Sequence, residues 1–165
     1  MGGVGSSTDI TYTFITEGEY TVTEIPFAPY FLASPDDLDL GDDAYIDNID
    51  IGFNFTFFGN EYDHLFVSSN GLIGFSAGSN SYNNQHFPDP VNPNNIIALC
   101  WTDLNPDAGG DIKYEIQGTI PFRRFIVEYD EVTHYGGAGT ITGQIVLYET
   151  SNSIDFHFTE IEDYG

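Results

Sequence analysis

The chain has 165 residues, with 26 acidic side chains against 3 basic ones and a formal charge of −23. So few Lys and Arg exclude unaided binding to a nucleic-acid backbone or to an anionic membrane, because both need protein cations to meet phosphate. One cysteine, Cys100, excludes an internal disulfide, and the longest apolar run, residues 96–101, is too short to cross a bilayer.

Aromatic residues make up 16% of the chain, which argues for a packed core rather than disorder. The length fits one domain. Residues 1–8 read as a flexible leader without the basic or apolar regions of a signal peptide, and residues 9–165 as a single β domain. Charge this lopsided repels itself, so bound divalent cations or a salty medium must offset it. No Lys or Arg occurs before Lys113.

Period-two alternation runs through the chain. Ile10, Tyr12 and Phe14 alternate with Thr11 and Thr13. Residues 36–50 hold seven aspartates, and within them Asp37-Leu38-Asp39 and Asp42-Asp43 put carboxylates on a segment too polar to be a strand. Ile49, Ile51, Phe53, Phe55 and Phe57 then place five apolar side chains on one face of a strand. Residues 67–73 read as a hairpin in which Asn70-Gly71 supplies two positive-φ positions. Residues 78–95 form a long Asn- and Pro-rich loop, of the kind that is functional or disordered. Ile141, Ile145 and Leu147 share a face, and Ile154, Phe156 and Phe158 share another. The pattern predicts an all-β fold, an antiparallel, jelly-roll-like β-sandwich of about ten strands with almost no helix.

Residues 57–62, Phe-Phe-Gly-Asn-Glu-Tyr, precede residues 65–75, Leu-Phe-Val-Ser-Ser-Asn-Gly-Leu-Ile-Gly-Phe. This order resembles the core of nidogen-like (NIDO-type) extracellular domains and their bacterial relatives. The likeness continues through residues 95–104, 111–114, 123–128 and 144–149, and closes at 152–158. It implies a β-rich, non-catalytic domain of a secreted or surface protein. The single cysteine departs from the cysteine-richer eukaryotic members and favours the bacterial variety.

Two acidic segments are candidate metal sites. Asp103, Asn105, Asp107 and Asp111 put oxygen donors at alternate positions, which lets a tight loop aim several at one calcium ion. Ala108 and the missing closing Glu rule out an EF-hand. Asp36, Asp37, Asp39, Asp42 and Asp43 form the second cluster. The bland alternatives are a Gly-Gly turn and a solvated acidic loop. Tyr82, Asn83, Asn84, Gln85 and His86 suit ligand contact. Trp101 is either core or an exposed platform for a sugar ring. Residues 74–78 match G-x-S-x-G around Ser76, but no helix follows, so a hydrolase is not expected. The four histidines lack zinc spacing, and alternation puts His157 on the outward face of its strand. Arg123 and Arg124 fall on opposite faces of one strand, where one is expected to pair with a carboxylate.

The expected function is a non-catalytic extracellular or cell-surface binding and adhesion module, calcium-dependent, with a glycan or an extracellular protein as partner. The alternative is a structural module that self-associates, as a spacer or filament subunit.

Overall fold

The computed structural model describes residues 21–87, 89–137 and 139–161. The predicted strand around Ile10–Phe14 lies outside the described residues. Among them are nine strands in two antiparallel sheets. One sheet joins β1 (Asp36–Asp37), β6 (Asp111–Gln117), β7 (Arg124–Thr133), β8 (Thr140–Tyr148) and β9 (Ile154–Ile161), in that order. The other joins β2 (Tyr45–Phe57), β3 (Asn60–Ser68), β4 (Leu72–Gly74) and β5 (Ile96–Ala98). The described helical structure is one 3-10 turn, Pro106–Ala108. The β-sandwich is therefore as expected. Both sheets are largely meanders, so the jelly-roll likeness extends to the two-layer packing and not to the strand order.

Alternation drives the packing. Ile49, Ile51, Phe53, Phe55 and Phe57 of β2 are all buried, while Asn54 between them is exposed. They meet Phe125, Val127 and Tyr129 of β7 and Ile141, Ile145 and Leu147 of β8 in one core. Each such large apolar side chain contributes about 1.5–3 kcal/mol by leaving water. Phe158, read as core from its alternation, is half-buried at the rim.

Residues 36 and 37 correct the reading of their segment as too polar for a strand. Asp36 pairs with Tyr114 and Asp37 with Lys113 at the sheet edge. Both side chains stay exposed, so edge pairing leaves the carboxylates in water. The next residues, Leu38 and Leu40, are buried and anchor the segment.

The outer face of the five-stranded sheet is also covered. Residues 27–33 cross it as a strap. Tyr30 N–H donates to Gln144 Oε1 (2.8 Å), and Gln144 Nε2 donates back to the Tyr30 carbonyl (2.7 Å). Gln117 Nε2 donates to the Phe31 carbonyl, and Ala33 N–H to Glu115 Oε2. The Arg124 guanidinium lies 3.9 Å from the centre of the Tyr30 ring. This strap explains why Ile126, Val146 and His157 are buried although they point away from the core. His157 is on the outward face, as alternation implied, but is not a surface residue.

Arg123 carries the expected carboxylate pairing. Its backbone N–H and Nε donate to Glu149 Oε2 (3.0 and 2.9 Å), and Nη2 donates to Oε1 (2.6 Å). Nη1 donates to the Gly52 carbonyl on β2, tying the two sheets together. Gly52 sits at φ +83 in a bulged part of β2, and a Cβ there would meet Ile116 at 2.9 Å. The Arg123 hydrogen bonds pull the Glu149 carboxyl from its ordinary 4.5 down to about 2. The folded state thus favours the ionised form. This stabilisation is fully present above pH 4.5 and is lost as pH falls toward 2. Glu149→Gln should lower the melting temperature at pH 7. The wild-type and variant values should converge as a melting series is carried from pH 5 to pH 2.

Candidate functional site

The turn between β3 and β4 organises one end of the sandwich. Ser68 pairs with Leu72, leaving a three-residue loop, Ser69-Asn70-Gly71. Only Gly71 of this loop has positive φ, +77. The two-residue Asn-Gly turn expected from the sequence is therefore replaced by a longer loop that ends on a left-handed glycine. Gly71 is required twice, since a Cβ there would also lie 2.6 Å from the Cys100 carbonyl oxygen. The Cys100 thiol beneath it is pushed up to about 12 by burial, which keeps it protonated and inert.

The loop length frees Asn70 to point inward, where it is fully buried. Its Nδ2 donates to Asp43 Oδ1 (2.9 Å) and to the Asn80 carbonyl (3.2 Å). Its Oδ1 accepts the Leu104 N–H (2.9 Å). The amide orientation follows from these partners, since a carboxylate and a carbonyl need donors and an N–H needs an acceptor. Ser69 adds a second stitch: its N–H donates to the Ala44 carbonyl (2.9 Å), and its side-chain Oγ accepts the Ala44 N–H (3.0 Å). One turn thereby binds residues 43–44, 80 and 104.

The two acidic segments treated as separate sites in the sequence meet here. Asp42 and Asp43 from one and Asp103 from the other each offer a carboxylate oxygen, all within 4.8 Å of one another. Asp42 is exposed, and Asp43 and Asp103 are half-buried. Burial holds the Asp103 carboxyl above its ordinary value of 3.8. The charges of Asp43 and then Asp42 push it the same way, and His134 opposes them. Asp107 joins the loops from the side, its Oδ2 accepting the Asp42 N–H (3.2 Å). The Asn105 side chain contributes no cap to the 3-10 turn, and its Oδ1 is buried with no hydrogen-bond partner.

The remaining predicted metal ligands are elsewhere. Asp36 and Asp37 belong to β1, and Asp37 Oδ1 accepts the Asp39 N–H (3.0 Å). Asp111 is ion-paired with Lys113 at 3.0 Å. These four lie outside the three-carboxylate group. The sequence missed Asn70 as a partner because a buried Asn in a turn looks like turn chemistry. Its signal was the polar Ser-Ser-Asn run inside an apolar hairpin.

The loop 78–95 divides its predicted ligand residues. Tyr82, Asn83 and His86 are exposed. Asn84 is also exposed, but its Nδ2 donates to the Trp101 carbonyl (3.2 Å). Gln85 Nε2 donates to the Val91 carbonyl (2.9 Å). Trp101 corrects the sugar-platform expectation. It is only 7% exposed, packs with Phe66 and Leu72, and donates its indole N–H to the Ser81 carbonyl (2.7 Å). The ring anchors the loop instead of presenting a face. Ser76 is an exposed residue just after β4, and its hydroxyl donates to the Asn94 carbonyl (2.7 Å). That is loop closure, not the strand-to-helix geometry of a nucleophile elbow.

Asn70→Ala should cost about 2–4 kcal/mol, because a buried N–H and a carbonyl lose their partners. In a domain this size the melting temperature should fall by about 5–12 °C. Loop residues 80–84 should gain faster amide exchange than the β7–β8 ladder in the same sample.

No helix among the described residues is long and apolar enough to cross a membrane. No solved structure matches the chain. Alpha-tectorin of Mus musculus is 28% identical over 120 residues, which cover 60% of this chain. The chain spans about 6% of that relative's length. A family model described as NIDO related matches residues 7–164, and the chain belongs to that family.

Proposed function

We propose that this domain is a non-catalytic recognition module of an extracellular or cell-surface protein, and that calcium holds the base of its recognition loop. The observation that carries this reading is the forked hydrogen bond of Asn70. The same Nδ2 group reaches Asp43 in the acidic cluster and Asn80 at the start of the loop. A cation on Asp42, Asp43 and Asp103 would therefore stiffen the loop that carries the exposed residues. Family membership supports the extracellular placement.

The donor set suits calcium. Carboxylates on irregular loops, completed by backbone carbonyls or water, fit a large ion that takes six to eight oxygens in flexible geometry. Magnesium demands tighter octahedral order. The partner favoured here is a protein. Tyr82, Phe87 and Val91 are all exposed on the loop, and the burial of Trp101 removes the best stacking surface for a sugar.

A hundredfold excess of calcium over its Kd should stabilise the domain by about 2.7 kcal/mol. The melting temperature should rise by about 5–10 °C over chelator at matched ionic strength. Asp103→Asn and Asp43→Asn should remove the gain, while Asp37→Asn and Asp111→Asn should keep it. The gain should also fade in acid. The folded state raises the Asp103 pKa, so without metal its proton is held more tightly than in the unfolded chain. That contribution is fully present below 3.8 and is lost as pH rises through the raised value, the opposite sign to a calcium effect. Identical melting curves with calcium and with chelator would refute the cation. Calcium-dependent binding on a glycan array would overturn the preference for a protein partner.

A further inference from the structure

The strap over the five-stranded sheet is held the way a separate peptide is held. Among the described residues, every hydrogen bond of residues 27–33 ends on a side chain of that sheet. Gln144, only 2% exposed, takes both the N–H and the carbonyl of Tyr30, and its Nε2 also donates to Glu128 Oε1 (2.7 Å). Gln117 and Glu115 take the Phe31 carbonyl and the Ala33 N–H, each at 2.9 Å. The Tyr148 hydroxyl donates to Asp155 Oδ2 (2.7 Å), so the Tyr30 hydroxyl donates to Tyr148 (3.0 Å). Side chains of β6, β7 and β8 thus grip the strap's main chain and the ring of Tyr30. Extended segments are recognised in this manner, with main-chain bonds for affinity and side-chain contacts for selectivity.

The strap itself sits shallowly. None of residues 25–35 is buried, and Phe31 is 85% exposed, while Ile126 and Val146 beneath are fully buried. Segments with so little burial open before the sheets they cover. Residues 25–35 carry no charge in a chain of −23, and Pro26, Pro29 and Pro35 favour an extended form before docking. One bend, at Ala33 and Ser34, turns the segment from the outer face to β1. A short hinge of this kind lets an element leave its own domain for an identical one. We propose that the outer face of the five-stranded sheet is a docking site for the strap of a second copy. Straightening the hinge at residues 33–35 exchanges the two straps reciprocally and closes a two-fold dimer. The exchanged strap meets the same side chains as in the monomer, so no new complementarity is required. Its lack of charge keeps carboxylates out of that contact. The two acidic bodies still repel, so exchange belongs to high protein concentration and a medium that screens the charge.

Complementation between two full-length variants, at high salt, tests the proposal. Tyr30→Ser gives a chain with a weakened strap and an intact face. Gln144→Leu with Arg124→Ser gives the reverse, a sound strap above a weakened face. In the isotope-labelled Tyr30→Ser chain alone, the Gln144 side-chain amide should exchange at least about tenfold faster than in the wild type. Adding the second variant, unlabelled, should slow it again, and light scattering should show a one-to-one pair that neither variant forms alone. Should Tyr30→Ser leave Gln144 protected, Tyr30→Pro takes its place, since it removes the backbone donor as well. Should the double variant unfold, Arg124→Ser alone serves as the second chain. A mixture with no pair and no recovery at Gln144 overturns the proposal. So does recovery with a synthetic peptide of residues 25–35 when the second variant forms no pair, which would make the face a site for some other extended segment.

Discussion

The end of the sandwich that carries the acidic cluster depends on one buried amide. Asn70 satisfies a carboxylate, a carbonyl and a backbone N–H from three separate segments. Buried polar groups are costly when unpaired, so this network is worth more for uniqueness than for net stability. Remove it, and residues 43, 80 and 104 each lose the partner that fixes their distance from the others. The acidic cluster is thus a product of the turn. Asp42 and Asp43 come from the entry to β2, and Asp103 from the stretch after β5. Neither segment contacts itself in a way that would assemble a site alone. Gly71 underwrites the arrangement, because the closing residue of the turn must be left-handed and must pass against the Cys100 carbonyl.

The core was legible because its signal is local. Ile49 to Phe57 alternate in sequence and alternate in burial, and no long-range knowledge is needed to see it. Likewise, adjacent arginines on extended chain must diverge, and Arg123, just before β7, turns to Glu149 and Gly52 while Arg124, the first residue of β7, lies on Tyr30. What stayed illegible was whatever depends on segments distant in sequence. His157 and Val146 point outward by alternation, but a strap more than a hundred residues earlier covers them. Trp101 could be judged only by knowing that Ser81 and Asn84 close over it. The acidic residues were visible as two clusters, while their convergence on one point required the register of the β3–β4 turn. Asp36 and Asp37 show the converse limit. Composition argued against a strand, yet an edge position with solvated side chains removes that objection.

Both flanks of the sandwich are dressed by irregular chain. The strap lies on the β6–β9 face, and the loop 78–95 closes over Trp101 on the β3–β5 face. Each is held by side-chain amides. Gln144 and Gln117 grip the strap, and Asn70 and Asn84 grip the loop. Amides suit this task in so acidic a chain, since they both donate and accept without adding charge. The outer faces therefore carry structure and not simple solvation, while Tyr82, Asn83, His86 and Phe87 on the loop stay exposed.

The distribution of the three bases decides how the acidic end is balanced. Lys113 is ion-paired with Asp111 and lies 3.8 Å from Asp130. Arg123 is committed to Glu149 and the Gly52 carbonyl. Arg124 lies on Tyr30 and donates to Gln117. All three serve the five-stranded sheet and its junctions, so no Lys or Arg is left for the meeting point of Asp42, Asp43 and Asp103. Asn70 supplies a dipole there, and His134 lowers the Asp103 pKa against three raising influences. A dipole and one imidazole do not neutralise three carboxylates. The remaining means are a proton, screening by salt, or a bound cation, and these differ in a way that experiment can separate. A proton acts only in acid, salt acts without preference among ions of equal charge, and a site discriminates by size. Selectivity between calcium and magnesium at equal ionic strength is therefore the property that distinguishes a built site from an acidic surface.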